Sequence, residues 1–397
     1  MNDVHLVNHA DHAKDGGMTN DPAILFTPIT LNTTRFKNRW VMPAMQRGMC
    51  VDGSPSADLA AYYARRAQGG VALIIGESAA IDHPSATVQP TAARLNAATR
   101  GGWARCVDQV LGAGGQMMLQ LWHEGAMRAD GQALSASGLA HPGKQSGRAA
   151  TLEELADIRA GYVRSALVAQ EIGACGVEVH AAHGYFLDQF LWQGSNNRDD
   201  GYGGPDIAHR ARFPAEIVAD IRAACGPDFL IGLRFSQWKE VDFTARVAPS
   251  PAELAQMATI FRHAGVDVLH ASSRRFWEPE WPERADGDDR NLAGWTKVGS
   301  GVPVITVGSV GLDIDVMEVL MQGVDPRPRV AEAIDDLARR MSAGEFDMVA
   351  VGRALIGDPD FVLKVAADDY AAIRTFRRDD LGQLEWDLSI VEEAHGV

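Results

Sequence analysis

The chain has 397 residues, 46% of them hydrophobic, with a formal net charge of -15. That acidic balance leaves no basic surface to neutralise phosphates and excludes a nucleic-acid partner. No apolar run approaches the roughly 18 residues of a membrane span, and the N-terminus has no apolar signal core, so the expectation is a cytoplasmic protein with no membrane partner.

The four cysteines, Cys50, Cys106, Cys175 and Cys225, form no C-x-x-C pair. They read as reduced thiols, with no support for a zinc or iron–sulfur site. No cysteine follows Cys225, so no cluster-bearing extension is expected.

In chain order, "MNDVHLVNHADHAKDGGMTN" (1–20) is polar and aperiodic and reads as a flexible extension. A folded domain is expected over 21–365 and a tail packed on or beside it over 366–397. "ITLNTTRFKNR" (29–39) reads as a hairpin that would close one end of the fold. Short apolar runs then recur at Trp40–Met45, Val71–Ile75, Gln116–Leu121, Gly176–His180, Phe229–Phe235, Val266–Ala271, Pro303–Val307 and Asp347–Val351.

Between them lie segments of helical spacing, among them "DLAAYYARRAQGG" and "SPAELAQMATIFRHAG", several opening on Ser, Thr or Asp and closing on Gly. Strand then helix, repeated eight times with runs apolar on both faces, predicts an α/β protein: a single (β/α)8 TIM barrel. A doubly wound sheet would place G-x-G-x-x-G after its first strand, and "MPAMQRGM" has none. "GAGG" (112–115) precedes a strand and reads as a helix stop. Two connections exceed ordinary turns, 129–150 after strand three and 272–294 after strand six. The second carries Phe276, Trp277 and Trp281 and reads as a lid.

In such barrels chemistry collects at the carboxyl ends of the strands. Those ends hold Pro43, Ala44, Met45 and Gln46, then Ser78, Gln120 with Trp122, and His180, His183 and Tyr185. Arg234 follows, and strands seven and eight end in Gly308-Ser309 and Gly352-Arg353. Bare glycine N–H groups after the last two strands suit a phosphate. Gln120 offers donor and acceptor to an imide-like edge, and Arg234 a permanent cation. That set suits a flavin better than a metal. The two histidines alone could be metal ligands, core histidines or a catalytic pair.

These residues lie in a series of motifs: "LFTPITLNTTRFKNR", "YYARRAQGG", "LQLWHEG", "VEVHAAHGYFLDQFL", "NNRDDGYGG", "RARF", "GLRFS", "PVITVGS" and "DMVAVGRALIGDPD". In this order they resemble the old yellow enzyme family of FMN-dependent ene-reductases, from about Leu25 to Lys364.

The resemblance implies noncovalent FMN, with Pro43, Ala44, Met45, Gln46 and Ser78 beside the ring. Gln120 and Arg234 would meet its pyrimidine edge, and Gly308, Ser309, Gly352 and Arg353 its phosphate. It implies NAD(P)H as reductant and ping-pong reduction of electron-poor alkenes. His180 and His183 would bind the substrate oxygen, and Tyr185 would be the proton donor. Trp122, Phe276 and Trp277 would complete the substrate cavity.

Two positions depart from the family pattern. Gln46 stands where Thr or Cys is usual, and Ser78 where glycine or alanine is. "NNRDDGYGG" reads as a rim clamp. "GGPDIAHR", with His209 near the usual Asn, reads as a local loop change. No metal is expected, and a homo-oligomer is compatible with the sequence. The alternatives are a demethylase or nitroester reductase on the same scaffold, a noncatalytic ligand-binding barrel, or a metal-dependent hydrolase using the strand-end histidines.

Overall fold

The structure, a computed structural model, describes residues 21–385. The expected extension over 1–20 and the end of the expected tail, from 386, lie outside the described residues. Eight parallel strands close into a barrel. They are β1 (Trp40–Met42), β2 (Leu73–Ala80), β3 (Gln116–Trp122), β4 (Gly176–His183), β5 (Leu230–Lys239), β6 (Val268–Ser272), β7 (Val304–Val307) and β8 (Met348–Ala350). The (β/α)8 architecture expected from the sequence is the one observed. β1, β7 and β8 are shorter than the apolar runs, while β2, β4 and β5 continue past them.

Successive side chains on a strand point to opposite faces, and this parity sorts the barrel. One face turns Met117, Leu119, Val177, Val179, Leu233 and Leu269 outward into the shell packed by helices. The other turns Val41, Leu73, Met118, Leu230, Val268 and Met348 inward as an apolar floor. The hairpin, Ile29–Leu31 paired with Thr34–Phe36, plugs that floor with Leu31 and Phe36. Above the floor the interior turns polar, with Gln120, Glu178, Arg234 and His270 all buried.

Helix boundaries follow local chemistry. Thr151 and Glu154 form a reciprocal capping box on Leu152–Glu171. Ser250 caps Pro251–Ala264, which ends at left-handed Gly265. Among the described residues no helix is long and apolar enough to cross a membrane.

The first long connection carries two small strand pairings of its own. Within 129–150, Ala133–Ser135 pairs with Gly147–Ala149, and Leu139–His141 with Lys144–Gln145. The clamp segment grips this insertion: Arg198 donates to the carbonyls of Ala136 and Ala150 at 3.0 and 2.7 Å.

The 272–294 connection lies against the barrel side with its aromatic groups turned inward. Trp281 is buried, and its indole N–H donates to the Pro249 carbonyl at 3.1 Å. Phe276 is also buried, and Trp277 is half-buried. Near the other terminus, Phe376 buries beside Leu312, Val319 and Ile356. Arg47 donates to the carbonyls of Asp380 and Gln383, at 3.0 and 2.5 Å.

Candidate active site

The carboxyl ends of the strands surround a cavity of about 460 Å³, a usual size for a small-molecule site. Its lower wall is the polar interior layer. Gln120 donates from Nε2 to Glu178 at 2.7 Å and accepts from the Ser78 hydroxyl at 2.5 Å. A carboxylate only accepts, so Glu178 sets which way the amide points. Ser78 reaches the cavity because the β2–β3 register slips between Gly76 and Ala79.

His270 Nδ1 lies 2.6 Å from the other Glu178 oxygen. Burial lowers the His270 pKa, so a neutral ring donates there. Burial also opposes charge on Glu178, but His270, Arg234 and Gln120 outweigh it and hold the carboxyl below its usual range. The charge is balanced by Arg234, which donates to Ser272 Oγ at 3.1 Å and to the Ala44 carbonyl at 3.4 Å.

The segment "HAAHGY" owes its shape to a break in β4. Strand parity turns His180 inward beside Glu178. The register with β5 then shifts between Ala181 and His183, and His183 adopts φ +66 and Gly184 φ +92. Few residues tolerate two such angles in succession, which is why a glycine follows. The His183 N–H donates to Ser236 Oγ at 2.9 Å, and the Gly184 N–H to Asp188 at 2.6 Å. His180 and His183 are three residues apart, an odd step that would put them on opposite faces of a regular strand, and the break brings them onto one wall. The ring centroids of His180 and His183 are 5.2 Å apart, and those of His180 and Tyr185 5.5 Å.

Burial, with Arg234 nearby, pulls His180 down to about 3 and His183 well below its ordinary value. Both rings are neutral. His183 Nε2 lies 2.8 Å from Ser272 Oγ, while His180 Nδ1 has no partner among the described residues. Tyr185 stands edge-on to Trp122 at 5.5 Å. Its hydroxyl donates to Glu240 at 3.3 and 3.4 Å to the two oxygens. Burial first, then Glu240, raises the phenol pKa well above its ordinary value.

At the far end Gly308 takes φ +146, and a Cβ there would lie 2.9 Å from the Phe276 nitrogen and the Ser273 carbonyl oxygen. Arg353 donates to Ser309 Oγ at 3.1 Å and to the Ile314 carbonyl at 2.6 Å, and burial pulls its pKa down to about 10. Five buried polar atoms on cavity-lining residues lack partners among the described residues: His180 Nδ1, Arg234 Nε, Ser273 Oγ, Arg274 Nε and Arg353 Nη1. Orphans gathered around one cavity mark a place where a polar ligand completes the hydrogen bonding.

Pro43, Ala44, Met45, Gln46, Ser78, Gln120, Trp122, His180, His183, Tyr185 and Arg234 all line this cavity, as do Gly308, Ser309, Gly352 and Arg353. Phe276 and Trp277 do not, which corrects their expected place in the substrate pocket. Phe276 is buried, with its N–H on the Gly308 carbonyl at 3.1 Å. Trp277 packs against the outer core and under the Arg329 guanidinium, 4.2 Å from the ring centroid.

Ser272, Ser273 and Arg274, at the end of the sixth strand run in the sequence, also line the cavity, as do Trp238, Glu240 and Leu381, which were not assigned to it from sequence. Strand parity carried from Arg234 past Phe235 would have turned Trp238 and Glu240 inward. Leu381 gave no such signal. His123 is held away from the cavity, with Nε2 2.8 Å from Ser85 Oγ and Nδ1 accepting from the Gly125 N–H at 2.9 Å. Among the described residues no group of three His, Cys, Asp or Glu is placed to hold a metal.

A family model described as NADH:flavin oxidoreductase / NADH oxidase matches residues 24–326. The chain is 32% identical over 353 residues to NADH oxidase of Thermoanaerobacter brockii, an alignment covering 86% of this chain and 50% of that protein. It is 30% identical to cinnamate reductase of Clostridium sporogenes, covering 88% and 54%. The chain thus spans about half the length of these two relatives. Among solved structures, morphinone reductase in complex with tetrahydroNAD superposes with a TM-score of 0.73 at 26% identity, covering 90% of this chain and 93% of that one.

Proposed function

The chain belongs to the NADH:flavin oxidoreductase / NADH oxidase family, the old yellow enzyme type, and from that premise we propose that it holds FMN noncovalently. It takes hydride from NAD(P)H and reduces the activated C=C bond of α,β-unsaturated carbonyl or nitro compounds. The cavity's donor set fits the cofactor. Gln120 keeps one amide hydrogen and one lone pair beyond its bonds to Glu178 and Ser78, enough for a pyrimidine edge.

Arg234 would sit where negative charge gathers, in a water-poor site that strengthens its effect. The backbone of Pro43, Ala44 and Met45, with Gln46 and Ser78, would flank the ring. Gly308, Ser309, Gly352 and the unsatisfied Arg353 Nη1 would take the phosphate.

FMN, when bound, supplies the hydride that ends on the substrate β-carbon. His180 and His183 do the rest of the activation. As neutral rings they give N–H groups to the substrate oxygen without charge repulsion from Arg234. Tyr185 then gives its proton to the α-carbon. Reductant and acceptor would occupy the same cavity in turn, giving ping-pong kinetics.

The observation that carries this reading is the meeting of two neutral histidines and a phenol on one wall, above an arginine–glutamine layer. Anaerobic reduction of the flavin-loaded protein with NADH or NADPH, followed by titration with 2-cyclohexen-1-one and 1-nitrocyclohexene, tests it. Bleaching by the nicotinamide and recovery by the alkene are expected. A protein without flavin, or one that neither alkene reoxidises, overturns the reading.

A further inference from the structure

Tyr185 faces a problem that its own chemistry does not solve. Its phenol is half-buried and its pKa raised, so a tyrosinate left behind after proton transfer would be strongly disfavoured. The group that meets it is Glu240. Parity along β5 turns Arg234, Trp238 and Glu240 into the cavity, and Lys239 the opposite way onto Asp188 at 2.7 Å. The Glu240 N–H donates to the His183 carbonyl at 3.2 Å, which ties the end of β5 to the break in β4. Its two carboxyl oxygens stand 3.4 and 3.3 Å from the Tyr185 oxygen. The residue is only partly buried, so it keeps a route to solvent.

We propose that the Glu240 carboxyl is the proton reserve behind Tyr185, passing its proton to the phenol oxygen as the phenol proton leaves for the substrate. The inference rests on the reading of Tyr185 as proton donor. The exchange balances. The Tyr185 O–H bond breaks as a C–H bond forms at the α-carbon. The Glu240 O–H bond breaks as the Tyr185 O–H bond is restored. Glu240 is left as a carboxylate and takes a proton from water before the next turnover. No electrons move in these steps beyond the hydride already delivered.

An ionised Glu240 would do the reverse, placing a negative charge against the oxygen that must briefly carry one. The groups facing Glu240 are Tyr185 and Arg234. Burial raises the carboxyl pKa and outweighs the hydrogen bond from Tyr185 and the charge of Arg234, which favour ionisation. Glu240 touches no reacting atom and acts through Tyr185, so it is a positioning and proton-supplying residue.

The test is single-turnover reoxidation of the FMN-loaded, NADH-reduced protein by 2-cyclohexen-1-one across pH, in wild type and Glu240→Gln. The wild-type rate should fall as pH rises through the ionisation of Glu240. The variant should be slower by roughly ten- to a hundredfold at low pH and lack that limb. Reoxidation by 1-nitrocyclohexene, whose nitronate product takes its proton from water, should change less. Infrared spectra should show a protonated-carboxyl band in wild type, at pH above the ordinary carboxylate range, that Glu240→Gln lacks.

Superimposable pH profiles, or no such band, overturn the proposal. If Glu240→Gln does not hold flavin, Glu240→Asp decides: a retained limb supports the relay, and a lost one overturns it. A wild type that reduces neither alkene defeats the functional reading itself. A wild type that reduces both, with a variant that matches it, defeats only the relay.

Discussion

The Lys239 ammonium and the Asp188 carboxylate meet at 2.7 Å with neither side chain exposed to solvent. Asp188 also accepts the Gly184 N–H, and Lys239 donates to the Ser236 carbonyl at 3.1 Å. The pair therefore fastens the turn that carries His183, Gly184 and Tyr185 to the end of the neighbouring strand. Burial works against both charges, lifting Asp188 to about 6 and lowering Lys239.

Removing one partner leaves the other charged in a dry site. Asp188→Asn or Lys239→Met alone should cost about 3–5 kcal/mol of stability, and the double replacement less than the sum. Urea denaturation of the four proteins measures this directly. Additive losses would mean that the two charges do not support each other.

Tyr185→Phe keeps the ring against Trp122 and removes only the hydroxyl. Reoxidation by 2-cyclohexen-1-one should slow by about 10²–10⁴, while reduction by NADH stays near wild type. His180→Ala and His183→Ala each remove one donor to the substrate oxygen, and enone binding or reoxidation should fall roughly ten- to a hundredfold. Stopped-flow absorbance resolves both halves of the cycle. An unchanged enone rate in Tyr185→Phe would reduce Tyr185 to a cavity wall.

The two histidines also carry a pH signature. Their pKa values are depressed in the folded protein, His180 to about 3, against about 6.5 in an unfolded chain. The unfolded state therefore binds more protons below pH 6.5, so the stabilising contribution present above that value is lost as pH falls toward about 3. His180→Gln should flatten the acid limb of stability between those limits. Thermal unfolding in a pH series checks it. A second outcome follows from the same neutrality: enone affinity should show no imidazole titration between about pH 5 and 8.

Gly308 tests the far end of the cavity. Gly308→Ala would place a Cβ 2.9 Å from two backbone atoms at a φ of +146. The 273–276 backbone must shift, and the mutant should retain less flavin after gel filtration. Acid release from the wild type should yield FMN and no FAD, read by chromatography. Equal flavin content in the two proteins would separate Gly308 from the cofactor site.

Periodicity made the barrel legible before any coordinates. Runs apolar on both faces bury in a parallel sheet almost wherever they fall, so eight of them with intervening helices leave few packings open. The polar strand ends were legible for the same reason, because strand direction alone places Gln120, His180 and Arg234 at one mouth. What lay beyond sequence was any feature set by contact between distant segments.

Phe276 and Trp277 sit on a long loop whose own residues do not say which way it folds, and burial against the outer core took them from the cavity. Glu240 reaches Tyr185 because β5 runs to Lys239 while β4 breaks at His183, a register relation between two strands. Leu381 enters the cavity only because Phe376 finds an apolar recess beside Ile356. Local alternation specifies which face a residue takes. Which neighbour it meets is decided by long-range packing, where burial energy outweighs local preference.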